Sequence, residues 1–324
     1  MQKKDNVLLQ VENLRTYFFT RRGVVKAVDD VSFSIRKGEA LGLVGESACG
    51  KSVTCLSILR LVPEPAGKIV GGRIIFEGED LLKKSRTEMR RIRGKKISMI
   101  LQDPLTSLNP SFTIGSQVGE AVALHQRARG RTLRQKIIEA LRLVRIPDAE
   151  TRMRDYPHQM SGGMRQRVTG AIALSCQPSL LIADEPTTSL DVTIQAQYLR
   201  LIKELQQKTG TSLLFVTHDF GIVSRMCDKV AVMYAGKIVE TAQTIEIFDS
   251  PIHPYTRALI ACLPKVEARV HKLTTIDGQP PDLSHLPPGC SFAPRCPEVS
   301  AECFRGYPPQ RRVTRDHEVS CWHA

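Results

Sequence analysis

The sequence predicts an α/β protein built on a mainly parallel sheet. Four short apolar runs each end in polar residues, namely EALGLVG (39–45), KISMILQD (96–103), SLLIADEP (179–186) and SLLFVTHD (212–219). Runs of this kind are typical of buried strands whose carboxyl ends meet at a ligand site. Longer segments with apolar residues at helical spacing, such as Ile137, Leu141 and Val144, separate them. The alternation favours a sheet covered by helices.

Each further element has its own signal. The first 80 residues alternate apolar and polar side chains in LLQVENLRTYFF, VVKAVDDVSFSI and GGRIIFEGEDL, which predicts an antiparallel β element beside the main sheet. Residues from about 109 to 154 are helical in pattern and predict an inserted helical subdomain. A helix is predicted from Asp191 to Lys208, where Gly210 ends it, and a hairpin is predicted around Ala235 and Gly236.

Composition limits the possible functions. The chain of 324 residues and 36.1 kDa has room for one large core and a small appended module. No apolar run approaches the roughly 18 residues that cross a bilayer, and the N-terminus is a poor secretory signal, so we expect an intracellular protein. The net charge of +13 is concentrated in KKSRTEMRRIRGKK (83–96). This run indicates a solvated helix face, with attraction to an anionic membrane leaflet or to nucleic acid as alternatives.

A phosphate site is predicted by GESACGKS (45–52), which fits G-x-x-x-x-G-K-[ST] between a predicted strand and a predicted helix. In such a loop, backbone N–H groups face the phosphates, Lys51 reaches the β and γ oxygens, and Ser52 offers a hydroxyl to Mg²⁺. Ala48 must lie where a Cβ is tolerated. ATP and Mg²⁺ are the expected ligands. The residues predicted to bind the nucleotide are Gly45, Glu46, Ser47, Ala48, Cys49, Gly50, Lys51, Ser52 and Val53.

Two carboxylates supply the other half of an ATPase site. LLIADEP (180–186) is an apolar strand that ends in Asp184 and Glu185. Asp184 is placed to hold Mg²⁺ through water, and Glu185 to polarise the attacking water. Adjacent carboxylates at a strand end can also be merely solvated, but a phosphate loop in the same chain favours the catalytic interpretation.

The family is indicated by YPHQMSGGMRQRV (156–168), together with Gln102, SLD (189–191) and His218. With these motifs, residues 7–264 resemble the ATP-binding subunit of an ABC transporter. The resemblance implies an ABC-type nucleotide-binding domain of the P-loop NTPase class, with a mixed sheet core, an antiparallel β subdomain and an inserted α-helical subdomain. We therefore predict a domain over 1–264 with its helical insert at about 109–154, followed by a small, irregular, Cys-rich module over 265–324.

The same resemblance implies several residue roles. Ser161, Gly162 and Gly163 would grip the γ-phosphate bound to an opposing subunit, and Ser161 also suits a helix N-cap. Gln102 would sense Mg²⁺ and His218 would contact the γ-phosphate and orient Glu185. The adenine is expected to stack on an aromatic side chain near the N-terminus, with Phe18 as the first choice and Tyr17 as the alternative.

Partners and cargo also follow from the resemblance. One phosphate loop and one signature motif require a second ATPase subunit, either a paralogue or a copy. The family implies two transmembrane permease subunits, an extracellular or periplasmic solute-binding protein, and a peripheral position on the cytoplasmic face of the membrane. LQDPLTSLNP (101–110) and HPYTRALIACLP (253–264) resemble the dipeptide and oligopeptide permease branch, to which nickel importers also belong. A non-transport ABC ATPase acting on nucleic acid is a rival that only the net charge supports, and no specific nucleic acid is expected.

Four cysteines distinguish the predicted C-terminal module, namely Cys290, Cys296, Cys303 and Cys321. An intracellular setting disfavours disulfides, so a four-thiolate metal site fits better. Zinc usually takes C-x₂₋₄-C pairs, which are missing here, whereas an iron–sulfur cluster accepts wider spacing. The permease resemblance also implies a [4Fe–4S] cluster; zinc and unmetallated thiols are the alternatives. Cys49, inside the phosphate loop, predicts sensitivity of the ATPase to alkylation.

Overall fold

The structure is a computed structural model that describes residues 6–103, 107–188, 190–263 and 275–324. The chain divides into two compact units. Unit 1 comprises Met1–Leu8, Arg36–Gly38 and Lys83–Leu214, and unit 2 comprises Leu9–Ile35, Glu39–Leu82 and Phe215–Ala324. No helix in the described ranges is long and apolar enough to cross a bilayer.

The strands of the described residues are β1 (Val7–Thr20), β2 (Gly23–Arg36), β3 (Ala40–Val44), β4 (Gly67–Phe76), β5 (Glu79–Asp80), β6 (Ile97–Ile100), β7 (Leu180–Asp184), β8 (Ser212–Thr217), β9 (Lys229–Tyr234), β10 (Lys237–Gln243), β11 (Arg311–Arg312) and β12 (Glu318–Val319). The α-helices are α1 (Lys51–Ile58), α2 (Arg86–Ile92), α3 (Ile114–Gln126), α4 (Gly130–Leu143), α5 (Ala149–Arg152), α6 (Gly162–Leu174), α7 (Val192–Thr209), α8 (Phe220–Met226), α9 (Thr244–Asp249), α10 (Pro254–Ala261) and α11 (Glu302–Arg305). The four predicted buried strands are therefore confirmed as β3, β6, β7 and β8.

Unit 1 contains β6, β7 and the first half of β8, in the order β8-β7-β6. β6 and β7 are parallel, from the pair Ile97 and Leu180 to the pair Ile100 and Ala183. The helices α3, α4 and α5 fall inside the stretch from 109 to 154 that was predicted to be helical. Asp191 caps α7 by accepting the N–H of Ile194, and Gly210, with a φ of 67°, ends it.

Unit 2 contains two sheets. The smaller one has the order β2-β1-β4-β5, with antiparallel pairing of β1 to β4 and of β4 to β5, as the alternating N-terminal sequence predicted. In the larger sheet, the strands of this unit run β11-β12-β10-β9-β3-β8. β3 and β9 are parallel, whereas β9 and β10 form the predicted hairpin, whose turn residues Ala235 and Gly236 have φ values of 46° and 82°.

The C-terminal residues join the larger sheet of unit 2. β12 pairs antiparallel with β10, so that Val319 lies opposite Glu240, and β11 extends the sheet by one strand. Without that pairing, β10 would leave a row of backbone N–H and C=O groups unpaired at the sheet edge. The two short strands differ from the irregular module that was predicted here. A pairing of two residues is too short to leave a pattern in the sequence.

Candidate functional site

The phosphate loop follows β3, whose five residues are all buried, and leads into α1. Backbone atoms of other strands lie close to its first and last glycines, Gly45 and Gly50, and leave no space for a side chain. A Cβ on Gly45 would lie 2.1 Å from the Met233 carbonyl oxygen, and a Cβ on Gly50 would lie 2.1 Å from the Ala27 carbonyl oxygen. Both residues also have positive φ, of 155° and 108°. Only glycine fits these positions, because space and backbone conformation both exclude a side chain.

Lys51 opens α1 and is only 4% exposed. Its Nζ donates hydrogen bonds of 2.9 Å to the carbonyl oxygens of Gly45 and Glu46. A buried ammonium is costly without such acceptors, so the loop carbonyls fix its position. The ammonium is thereby held within the loop, where the G-x-x-x-x-G-K-[ST] motif predicts the nucleotide phosphates.

Two other loop residues depart from the usual glycine and serine. Ala48 has a φ of 62° and an exposed side chain. Its Cβ is therefore tolerated sterically, while the left-handed backbone costs roughly 1 to 2 kcal/mol. Cys49 is 5% exposed, and burial raises the pKa of its thiol despite the Lys51 ammonium nearby. This raised pKa reduces the thiolate fraction and so opposes the predicted sensitivity to alkylation.

Residues outside the cassette motifs hold the phosphate loop in place through hydrogen bonds. The amide of Glu46 donates a 2.9 Å hydrogen bond to the Tyr255 hydroxyl, and the Tyr255 side chain is fully buried. His253 caps α10, because its Nδ1 accepts the Tyr255 N–H at 3.0 Å. Burial lowers the pKa of His253 to about 3, so the ring is neutral and able to accept. From the sequence, HPYTRALIACLP indicated only a subfamily, although a proline directly after His253 is also a helix-start signal.

In unit 1 the structure brings Gln102 and Glu185 together. The Gln102 Nε2 donates a 3.1 Å hydrogen bond to the Glu185 Oε2, and the Thr188 hydroxyl donates to the same oxygen at 3.2 Å. Glu185 has a φ of 45°, an uncommon conformation for a non-glycine residue, and Asp184 before it is 5% exposed. An amide and a hydroxyl thus fix the carboxylate that was predicted to act on water.

The 161–163 turn begins α6. Ser161 is exposed and caps the helix, since its hydroxyl accepts the N–H of Met164 at 3.3 Å, which confirms the predicted N-cap. A Cβ added to Gly162 would have no neighbour within 4 Å, whereas one on Gly163 would lie 2.6 Å from the Ile194 Cγ2. The turn therefore offers an open backbone surface at a helix N-terminus, which suits an anion. Ser189 of the SLD motif lies outside the described residues.

The remaining predicted site residues occupy separate positions. His218 follows β8 and is exposed, next to Asp219, which caps α8. The Tyr17 hydroxyl donates a 2.6 Å hydrogen bond to Asp29; burial and this carboxylate raise its pKa to about 12. Phe18 is half-buried, and a Cβ on Gly67 would lie 2.8 Å from its Cε1. The role of Phe18 in stacking an adenine stays a prediction.

The four C-terminal cysteines are neighbours in unit 2. Cys303 and Cys321 are buried, and Cys290 and Cys296 are half-buried. Burial raises the pKa of Cys290 to about 11, and the nearby sulfurs of Cys303 and Cys321 add to the rise. Burial, Cys321 and Cys303 likewise raise the pKa of Cys296. Within the described ranges, no group of three or more His, Cys, Asp or Glu side chains has the arrangement of a metal site.

Comparisons of the sequence with known proteins agree with the motifs. Residues 28–188 match the family model for ABC transporters, and residues 239–303 match that for the C-terminal region of oligopeptide and dipeptide transporters. The chain is 51% identical to the dipeptide transport ATP-binding protein DppD of Bacillus subtilis over 97% of its length and 94% of the relative. It is 50% identical to the oligopeptide transport ATP-binding protein AppD of the same organism, over 98% and 97% of the two chains.

Solved structures share the fold. The ATP-binding cassette MJ0796, solved as a dimer in a post-hydrolysis state with ADP and Pi, has a TM-score of 0.66 at 24% identity and covers 73% of this chain and 99% of its own. CbiO1 of Clostridium perfringens, part of the transporter complex cbiONQ, has a TM-score of 0.64 at 26% identity, over 76% and 92% of the two chains. These likenesses confirm the predicted ABC-type fold, with its mixed sheet and helical subdomain. The chain belongs to the ABC transporter family, as an ATP-binding subunit that couples ATP hydrolysis to transport.

Proposed function

We propose that this chain is the ATPase subunit of an importer for dipeptides or oligopeptides. The observation that carries the proposal is the identity of about 50% to peptide-transport subunits over nearly the whole chain, including the C-terminal region. The cassette motifs alone do not indicate which cargo is transported. The match beyond the cassette supports peptides, and a nickel or other small-solute importer of the same branch is the second candidate.

Within unit 2, the phosphate loop binds the ATP phosphates. The enclosed loop and the buried Lys51 support this assignment, because the carbonyl oxygens of Gly45 and Glu46 hold the lysine ammonium within the loop, at the start of α1. Ser52, which follows Lys51, supplies a hydroxyl to Mg²⁺. His218, exposed after β8, contacts the γ-phosphate. Each role is that of the matching residue in the family.

Within unit 1, Glu185 orients and deprotonates the attacking water. Its carboxylate is fixed by hydrogen bonds from Gln102 and Thr188, which supports a positioned base. Asp184 holds Mg²⁺ through water, and Gln102 relays its presence to the membrane partner. Ser161, Gly162 and Gly163 bind the γ-phosphate of ATP held by an opposing subunit, for which the exposed turn leaves room.

The partners follow from this assignment. A second ATPase subunit, a paralogue or another copy, completes each site. Two transmembrane permease subunits dock on the helical insert, and an extracellular or periplasmic solute-binding protein delivers the cargo. The chain is then peripheral, on the cytoplasmic face of the membrane. The basic composition alone supports the nucleic-acid alternative, and no motif adds to it.

We also propose that Cys290, Cys296, Cys303 and Cys321 hold a [4Fe–4S] cluster. The donor chemistry fits, because four neighbouring thiols, two buried and two half-buried, are the ligand set of such a cluster. Zinc is the alternative, although zinc usually takes C-x₂₋₄-C pairs, which these four cysteines do not form.

Purification without oxygen tests the cluster. A brown protein with about four irons per chain is expected, and Cys321→Ser is expected to lose the colour and the iron. Cys176→Ser, which removes a half-exposed thiol in unit 1, is the matched control. A colourless protein with one equivalent of zinc would refute the cluster.

Reconstitution tests the transport proposal. The chain is purified with its permease subunits, placed in liposomes, and assayed for ATP hydrolysis with the solute receptor loaded with dipeptides, with oligopeptides or with Ni²⁺. Stimulation by a peptide-loaded receptor is expected, with Glu185→Gln as the inactive control. Stimulation by Ni²⁺ alone would replace the peptide proposal with the nickel one. Salt-sensitive binding to DNA without any membrane partner would contradict both.

A further inference from the structure

A cavity of about 360 Å³ lies beside the phosphate loop, entirely within unit 2. Residues 46–49 of the loop form one wall, and Val25, Tyr234 and Ala235 form another. The third wall comes from residues 280–283 of the C-terminal region. The volume is that of a small-molecule pocket. Since the loop takes the phosphates, the nucleoside half of ATP has to lie next to the loop, and this cavity borders it.

The 280–283 segment is suited to a flat ring. It reads Pro-Pro-Asp-Leu, so two prolines give it a stiff backbone and an apolar surface. The amide of Lys26 donates a 3.1 Å hydrogen bond to the Leu283 carbonyl oxygen, which joins the segment to β2. The Asp282 carboxylate accepts hydrogen bonds from the Ser284 amide at 2.8 Å and the Ser284 hydroxyl at 2.7 Å. These contacts hold the wall in one conformation.

Arg295 connects this wall to the phosphate loop. Its guanidinium makes a bidentate ion pair with Glu46, with Nη1 to Oε2 at 2.7 Å and Nη2 to Oε1 at 3.0 Å. The same group donates to the Asp277 carbonyl oxygen at 2.9 Å and to the Tyr234 hydroxyl at 3.3 Å. The Arg295 side chain is only 5% exposed. Burial opposes its charge, but the bonds to Glu46 and Tyr234 prevail and raise its pKa.

A bidentate, buried pair fixes geometry as well as charge. Glu46 is the second residue of the phosphate loop, and Asp277 lies three residues before the first proline of the wall. The aromatic rings of Tyr234 and Phe292 flank the guanidinium at 5.9 and 6.0 Å from their centroids. A single side chain therefore joins the phosphate loop to the backbone three residues before the 280–283 segment.

We propose that residues 280–283 form a wall of the subsite for the purine ring and ribose of a nucleoside triphosphate, and that Arg295 is the positioning residue that fixes this wall against Glu46. The C-terminal region then takes part directly in nucleotide binding. Neither Phe18 nor Tyr17 is among the residues that line the cavity. The proposal rests on the assignment of residues 45–52 as the phosphate site.

Comparison of ATP with inorganic tripolyphosphate separates the two subsites, because tripolyphosphate lacks the nucleoside. Leu283→Ala removes side-chain contact from the wall but keeps the carbonyl that accepts from Lys26. We expect it to weaken ATP binding by about tenfold, the worth of one to two buried methylenes, and to leave tripolyphosphate binding unchanged. Val313→Ala, at a 49% exposed site of the same region, is the matched control and is expected to change neither affinity.

Arg295→Ala is expected to weaken the binding of both ATP and tripolyphosphate by about tenfold or more, since it removes the contacts that hold the phosphate loop as well as the 280–283 wall. Arg295→Lys is expected to restore only part of this, because an ammonium cannot make the bidentate pair. Arg312→Ala, which breaks an exposed ion pair with Glu318, is the matched control. Thermal melting is recorded for each variant. If Arg295→Ala does not fold, the ATP affinity of Leu283→Ala and the position of the photolabel test the proposal without it.

Photolabelling of the wild-type chain with 8-azido-ATP needs no variant. We expect the label in the tryptic peptide 273–295, which holds the 280–283 segment. Label confined to peptide 16–21, which holds Tyr17 and Phe18, together with an unchanged ATP affinity of Leu283→Ala, would overturn the proposal. If the wild-type chain shows this overturning result but still binds tripolyphosphate, the assignment of residues 45–52 as the phosphate site stands. A chain that binds neither ATP nor tripolyphosphate refutes the phosphate-loop assignment itself.

Discussion

The phosphate loop of unit 2 and the 161–163 turn of unit 1 are both glycine-containing anion sites at a helix N-terminus, but they are built in opposite ways. In the phosphate loop, both flanking glycines touch the backbone of neighbouring strands and Lys51 is buried against loop carbonyls. In the turn, Ser161 is exposed and Gly162 has open space around it.

The difference shows what each site has to do. An enclosed loop loses little conformational entropy when phosphate binds, because Lys51 and the glycines are already held in one conformation. The turn has space for a phosphate beside Gly162, which agrees with the proposed role toward an opposing subunit. The loop is also braced from outside the cassette motifs by Tyr255 and Arg295. The 161–163 turn is held by its own helix, since Ser161 accepts the Met164 N–H and Arg165 donates to the Met160 carbonyl oxygen at 3.0 Å.

The largest expected difference between the two sites follows from adding one methyl group to each of them. Gly50→Ala is expected to weaken ATP binding by about 10³-fold or more, because the Cβ would lie 2.1 Å from the Ala27 carbonyl oxygen at a φ of 108°. Gly162→Ala is expected to leave the ATP affinity of the isolated chain unchanged. Calorimetry measures both affinities, and circular dichroism checks folding. Equal ATP affinities for the two variants would show that the loop is not enclosed in the way described.

Glu185→Gln separates binding from turnover. A general base acts on the attacking water rather than on the bound phosphates, so we expect ATP affinity to persist while hydrolysis falls by about 10²- to 10⁴-fold, the usual contribution of such a base. Glu204→Gln, which breaks an exposed pair with Arg145, is the control. Phosphate release measures the rate. Undiminished hydrolysis would refute the assignment of Glu185.

The free energy of unfolding is expected to fall in acid because of His253, which caps the helix that carries Tyr255. Burial keeps the pKa of His253 at about 3, below its ordinary value of 6.5, so the native ring stays neutral where the unfolded chain takes up a proton. Acidification from pH 6.5 toward pH 3 therefore favours unfolding, at about 1.4 kcal/mol for each pH unit. His253→Gln should flatten this part of the dependence and lower stability at pH 8 by about 1 kcal/mol through the lost cap.

Urea titrations at several pH values measure these free energies of unfolding. His285→Gln, at an exposed site, is expected to keep the wild-type slope. Identical slopes for the wild type and His253→Gln would contradict the assignment of a buried, neutral ring.

The smallest expected effect concerns Cys49. Burial raises its thiol pKa, so N-ethylmaleimide at pH 7 is expected to react about tenfold more slowly with Cys49 than with the half-exposed Cys176. The rate at Cys49 should rise with pH as more thiolate forms. Mass spectrometry of the two peptides gives both rates. Faster reaction at Cys49 than at Cys176 would mean that the loop opens in solution.

Much of the fold was predictable because its signals are local. The strand that leads to Lys51, the helix that begins at Asp191 and ends at Gly210, and the Ala235-Gly236 hairpin each depend on neighbouring residues. The contacts of the C-terminal region were not predictable. Arg295 is 249 residues from Glu46, and His317 is 77 residues from the buried Glu240 with which it pairs at 2.7 Å. Nothing in the local pattern around these residues selects a partner.

The amino-acid sequence by itself determined the ABC-type cassette, its phosphate loop, its carboxylates and its signature turn, because fixed spacings and glycine positions encode them within short segments. The tertiary structure alone decided that β12 joins β10, that Tyr255 and Arg295 brace the loop, and that residues 280–283 line a cavity beside it. These features arise when distant segments bury polar groups against each other. Such groups are satisfied only by the packed chain as a whole.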